Sequence, residues 1–211
     1  MFVLAALLYN SWPLGYYLNS KIAHSGLASD LDGIGQPFYW LFILGDVLVG
    51  ASLLAVTLLI IFKLRREFLK KTWFSVLVGV FIFGIFTATS AATSNSCVPG
   101  HLHFCATIDN HTFGGDGLES TFAALGLLVS LVGINVMSIR FKLSKNFKRF
   151  SQFVLFTWPV CVLWFLIEAD KNGNAHLAQQ ALLTLTGLAL LVIGLNIFAA
   201  LEQLTLSDKS T

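Results

Sequence analysis

Two histidines with a single residue between them, His101 and His103, stand in a polar stretch that also holds Cys97, Cys105, Asp109, His111 and Asp116. In extended backbone, side chains two positions apart point to one face, so the two imidazoles can share a divalent metal such as zinc. His111 adds a third nitrogen, and Asp109, Asp116 or His24 completes a set of the size zinc takes. The competing account is a solvated polar loop that binds nothing. Cys97 and Cys105 bracket both histidines. A disulfide between them closes a small loop and contributes roughly 2–3 kcal/mol in the chain-entropy view; two buried or metal-bound thiols are the alternative. Cys161 lies in an apolar run and reads as a small core residue.

A second group follows at Asp116-Gly117-Leu118-Glu119-Ser120-Thr121. Acids in a first helical turn are favoured by the helix dipole, which is sufficient structural reason for them. Chemically, Asp116 or Glu119 can act as acid–base partner to His111, and Ser120 can act as nucleophile where a base reaches it. Metal-assisted or acid–base hydrolysis is the reaction class such groups would perform. His24, Asp30, Asp32 and His176 are candidate ligand-binding groups beside them.

Asp46 is different, because it interrupts an otherwise uncharged apolar segment that opens at Pro37. At a 1.5 Å rise per residue it lies roughly 13 Å from that end. A lone carboxylate at such depth in lipid is costly and must be paired, hydrogen-bonded or protonated. It therefore faces the helix bundle, either as a proton-, ion- or substrate-handling group or as a protonated acid bonded to Thr87, Thr89 or Ser90 on a neighbouring helix. Gly45 and Gly50 allow that neighbour to come close.

The elements that carry these groups are dictated by composition. Of 211 residues, 56% are hydrophobic and only 11% charged, against about 25% charged in a soluble domain. So few charges cannot cover a globular surface, whereas lipid does not require them to. Apolar stretches long enough to cross a bilayer, roughly 17–25 residues, fall at about 2–18, 37–62, 72–92, 118–139, 153–167 and 177–201. Only helices satisfy their backbone groups in lipid without closing a barrel. The expected fold is an all-α polytopic bundle of about six transmembrane helices in one domain. The first segment is broken by Asn10, Ser11 and Pro13, but it has no basic leader and no small-residue cleavage site, so it is read as a helix rather than a signal peptide.

Basic residues orient the bundle. Lys63, Arg65, Arg66, Lys70 and Lys71 fall in one loop, Arg140, Lys142, Lys145, Lys148 and Arg149 in another, and Lys209 in the tail. With six crossings these share a side, leaving only Lys21 and Lys171 opposite. The positive-inside rule then places both termini in the cytoplasm, and His24, His101, His103, His111 and His176 all fall on the other face. The plasma (inner) membrane is the expected location. Trp12, Tyr16, Tyr17, Phe38, Tyr39 and Trp40 read as an interface belt without a cofactor role. No basic–aromatic run suggests nucleic-acid binding.

The segment His24-Ser25-Gly26-Leu27-Ala28-Ser29-Asp30-Leu31-Asp32, followed by Gly35-Gln36-Pro37-Phe38, resembles a large, mostly bacterial family of six-helix membrane proteins of unknown function. Such proteins carry a Ser-Asp or Ser-Glu-Leu stretch after the first helix and a proline opening the second. Many also carry a histidine near the start of the fourth helix, where this chain reads Gly117-Leu118-Glu119-Ser120. The resemblance implies architecture and no activity.

The sequence thus leads to an extracytoplasmic His/Asp-rich pocket that binds, or hydrolyses, a lipid headgroup or small polar ligand. The alternative is an accessory or assembly subunit packed against another membrane protein. A transporter is disfavoured, because only one clear intramembrane charge and no inverted repeat are visible.

Overall fold

The computed structural model describes residues 1–18, 28, 31, 37–63, 71–93, 115–170 and 175–208. Among them all regular structure is helical: α1 (Phe2–Tyr9), α2 (Trp12–Leu18), α3 (Tyr39–Lys63), α4 (Lys71–Thr93), α5 (Gly115–Arg140), α6 (Lys145–Asp170) and α7 (Ala175–Asp208). Helices α3 to α7 are each long and apolar enough to cross a membrane. The chain is an integral membrane protein.

The first apolar segment departs from the single helix expected over 2–18. It forms two helices of 8 and 7 residues, with a break at Asn10 and Ser11. Pro13 explains the break. In a continuous helix its nitrogen would donate to the Tyr9 carbonyl; proline has no donor, and its ring crowds that carbonyl. Asn10 closes α1 by donating both its backbone N–H (3.2 Å) and its side-chain Nδ2 (2.9 Å) to the Ala6 carbonyl. Ser11 N–H turns back to the Leu8 carbonyl at 3.0 Å, and α2 begins as Leu14 N–H donates to the Ser11 carbonyl at 3.0 Å.

Other helices outrun their apolar stretches. The segment expected over 153–167 is the inner part of a helix that starts at Lys145. Ser144 caps it, accepting from Phe147 N–H on its hydroxyl at 3.4 Å and from Lys148 N–H on its carbonyl at 3.1 Å. Lys145, Lys148 and Arg149 are exposed on its first turns. Hydropathy marks only where a helix meets lipid, so charged turns beyond that zone escape an apolar search. Ahead of Ser144, α5 ends in a Schellman motif. Leu143 N–H donates to the Ser138 carbonyl (3.0 Å) and Lys142 N–H to that of Ile139 (3.2 Å), with Lys142 left-handed at φ 48.

In a bilayer, helices associate through close packing and hydrogen bonds rather than through escape from water. Small residues therefore mark the contacts. Between α4 and α5, the most extensive contact in the bundle, Gly79 lies against Gly126 and Ser130, and Gly133 against Ser75 and Val76. The buried Ser130 hydroxyl donates to the Val76 carbonyl at 3.1 Å. Gly50 brings α3 onto Gly84 and Ala88 of α4. Helix α1 packs against both α3 and α7, where Gly187 receives Asn10 and Gly194 receives Phe2. The helices thereby form a ring in the order α5, α4, α3, α1, α7, α6, returning to α5 through a looser α5–α6 contact. One half of the interior is filled solid by Trp73, Leu131, Ile134, Met137, Leu190 and Ile193. There the buried Asn196 donates to the Ser151 hydroxyl at 3.1 Å and ties α7 to α6.

Candidate functional site

The other half of the ring is hollow. A cavity of about 1070 Å³ lies among α1–α2, α3, α4, α5, α6 and α7, at the upper end of the roughly 300–1,000 Å³ usual for small-molecule sites.

Its walls differ in character. The α1–α2 break contributes Leu8, Tyr9, Ser11 and Trp12. Helix α3 presents Phe42 and Asp46, four positions apart and so on one face. Helix α4 presents Phe83, Phe86, Thr87, Ser90 and Ala91, again one face at helical spacing, and α5 opens with Ser120 and Thr121. The α6 wall is Trp158, Pro159, Val162, Leu163, Phe165 and Leu166. Its one polar atom there is already used, since Trp158 Nε1 donates to the Thr186 hydroxyl of α7 at 2.9 Å. The cavity is thus polar and aromatic on the α1–α4 side and apolar on the α6 side.

Among the described lining residues, Asp46 is the one formally charged group. It is half-buried and shares the cavity lining with Tyr9. The Tyr9 ring packs on Phe83 with centroids 5.8 Å apart. Trp12 meets Tyr16 edge-on at 5.7 Å, and its indole N–H is buried without an acceptor among the described residues. A buried donor left unpaired costs about 1–3 kcal/mol. Two described residues between α2 and α3 also line the cavity. Ala28 and Leu31 are buried against it, and Ala28 N–H donates to Gln179 Oε1 at 2.6 Å. An opening lies between α5 and α6, where Leu125, Leu163 and Leu166 both line the cavity and stand 49%, 59% and 57% exposed.

The structure brings together part of the residue set expected from sequence. Asp46 and Ser120 share the cavity. Glu119 is half-buried one position before Ser120, outside the lining, and Asp116 belongs to the first turn of α5, its side chain lying outside the description. His176 is half-buried at the start of α7, one turn before Gln179. His24, Asp30, Asp32, Cys97, His101, His103, Cys105 and His111 lie outside the described residues, and with them the metal set and the disulfide. Among the described residues no three His, Cys, Asp or Glu gather as metal ligands, and Cys161 is a free, half-buried thiol.

Tyr9, Trp12, Phe42 and Gln179 were not singled out as site residues by the sequence. The interruption at Asn10, Ser11 and Pro13 was the available signal, since broken transmembrane helices border binding sites. Trp12 belongs to the cavity wall rather than only to an interface belt. Comparison with known protein families, curated proteins and solved structures finds no match. The geometry therefore carries the functional argument alone.

Proposed function

We propose that this protein binds an amphiphilic molecule of the bilayer, a lipid or lipid-like compound, in the cavity beside Asp46. The observation that carries the reading is the opening between α5 and α6. Its rim leucines belong to membrane-crossing helices, so a ligand entering there comes from lipid. The apolar α6 wall suits a hydrocarbon chain, and the α1–α4 wall suits a polar end. The buried Trp12 N–H gains a partner if that end offers an acceptor.

In this reading α1 and α2 together make a first crossing, so the chain crosses six times with both termini in the cytoplasm of the plasma (inner) membrane. The basic loops support that orientation, and it puts the cavity in the extracytoplasmic half. Binding, without hydrolysis, is what the described groups support: Ser120 has no described histidine beside it in the lining.

Native mass spectrometry of the protein extracted in mild detergent tests the reading. One amphiphile should remain bound to the wild type and be lost from Ala124→Trp, which fills the cavity from α5. An empty wild type, or equal retention by a folded Ala124→Trp, overturns it.

A further inference from the structure

Hydroxyl groups predominate among the polar side chains described in the cavity wall, and they narrow the chemistry of the ligand; the step rests on the reading just given. Ser11 comes from the α1–α2 break, Thr87 and Ser90 from one face of α4, and Ser120 and Thr121 from the opening of α5. Phe86 and Phe122 stack with centroids 5.0 Å apart, so the adjoining Thr87 and Thr121 stand at one level of the bundle. A helical serine or threonine commonly donates its hydrogen to its own backbone, as Thr186 does to the Leu182 carbonyl at 2.8 Å. Lone pairs remain on such an oxygen and can accept from a ligand. That wall therefore calls for donors. The buried Trp12 N–H, with no acceptor among the described residues, calls for an acceptor. Asp46 already interacts within the protein and sets no demand for a counter-charge.

We infer that the ligand's head group is neutral and carries two or more hydroxyls, a glycerol- or sugar-type head on an apolar chain. Each hydroxyl offers one donor and two lone pairs, so such a head serves the serine and threonine oxygens and the Trp12 N–H together. An ionised carboxylate, an ether or an ester brings acceptors only, and a quaternary ammonium brings neither donor nor acceptor. A site built to bond a hydroxyl discriminates strongly against analogues that lack it, because its own polar groups are then left unpaired.

The test exposes the full chain in mild detergent to equal concentrations of three probes that share one chain length. They are tetradecyl glyceryl ether, the same ether with both hydroxyls methylated, and tetradecyltrimethylammonium. Native mass spectrometry counts what stays bound. The diol should be retained at least about tenfold over its methylated form and over the ammonium. Thr87→Val exchanges the hydroxyl for a methyl at similar shape, and Trp12→Phe removes the N–H. Each should cut that preference about threefold or more, and with the two changes on different helices one readout remains should the other variant fold poorly. Equal retention of the diol and its methylated form, or preference for the ammonium, overturns the hydroxylated head. So does an unaltered preference in whichever of the two variants fold. In each of these cases a probe that is lost from Ala124→Trp leaves the amphiphile cavity standing. Retention of no probe, or retention unaltered in a folded Ala124→Trp, overturns the cavity reading and this inference together.

Discussion

Trp158 on α6 donates its indole N–H to the Thr186 hydroxyl on α7, and both residues face the cavity. Thr186 in turn donates to the Leu182 carbonyl at 2.8 Å, so the acceptor is held in place by its own helix. Replacing Thr186 by Val strands the buried indole donor and should cost about 1–3 kcal/mol. Trp158→Phe removes donor and ring area together. The double variant should lose less than the sum of the singles, because Phe leaves no donor to strand. Denaturant unfolding in bicelles measures this, and strictly additive losses would show that the bond contributes nothing.

Two glycines on neighbouring helices should respond in opposite ways. A Cβ at Gly79 would run into Ser130 and the Gly126 carbonyl across the α4–α5 contact. Gly79→Leu should therefore destabilise by about 3 kcal/mol or more, through overpacking against backbone. At Gly45 a Cβ meets nothing within 4 Å. Gly45→Ala should be neutral, or gain up to about 1 kcal/mol of helix propensity. Thermal denaturation of the two variants side by side checks the contrast.

Lys142 holds a left-handed conformation at the end of α5. Side chains other than glycine are disfavoured there by roughly 1 kcal/mol. Lys142→Gly should raise stability by about 0.5–1 kcal/mol, provided the Schellman bonds to Ser138 and Ile139 persist. A lowered unfolding midpoint would mean that the lysine side chain has contacts worth more than the relief of strain.

An epitope tag after Thr211 should stay protected in intact cells and become accessible only after permeabilisation, as the basic loops require. In the same preparation, non-reducing peptide mapping should join the Cys97 and Cys105 peptides. A tag reached from outside would reverse the proposed orientation and remove the oxidising surroundings that the disulfide needs.

Five long apolar segments were legible because length and hydropathy decide membrane crossing almost unaided. The helix ends were less so. Ser144 looks unremarkable in sequence, yet it caps a helix whose basic first turns carry no apolar signal. Asn10, Ser11 and Pro13 registered as flaws in a span, whereas proline's missing donor divides that span and Tyr9 and Trp12 beside the break line the cavity. The emphasis on histidines followed residue type and spacing, and His24, His101, His103 and His111 lie outside the described residues. Aromatic walls are harder to foresee, because a tryptophan near a membrane interface has the same sequence signature whether it faces headgroups or the bundle.

The pairing of α1 with α7 bears on biosynthesis. Asn10 and Phe2 are translated well before Gly187 and Gly194 of α7, on which they pack. Until α7 leaves the ribosome, the broken first segment has α3 and the Tyr9–Phe83 ring contact with α4 to lean on. Its two pieces are each too short to anchor themselves firmly in lipid. A nascent chain stopped before residue 175 would thus be an open gutter, with Asp46 and Trp12 facing acyl chains. The chamber therefore closes only once α7 is in place, and a quality-control protease that senses polar groups in lipid would find its target in products truncated before that helix.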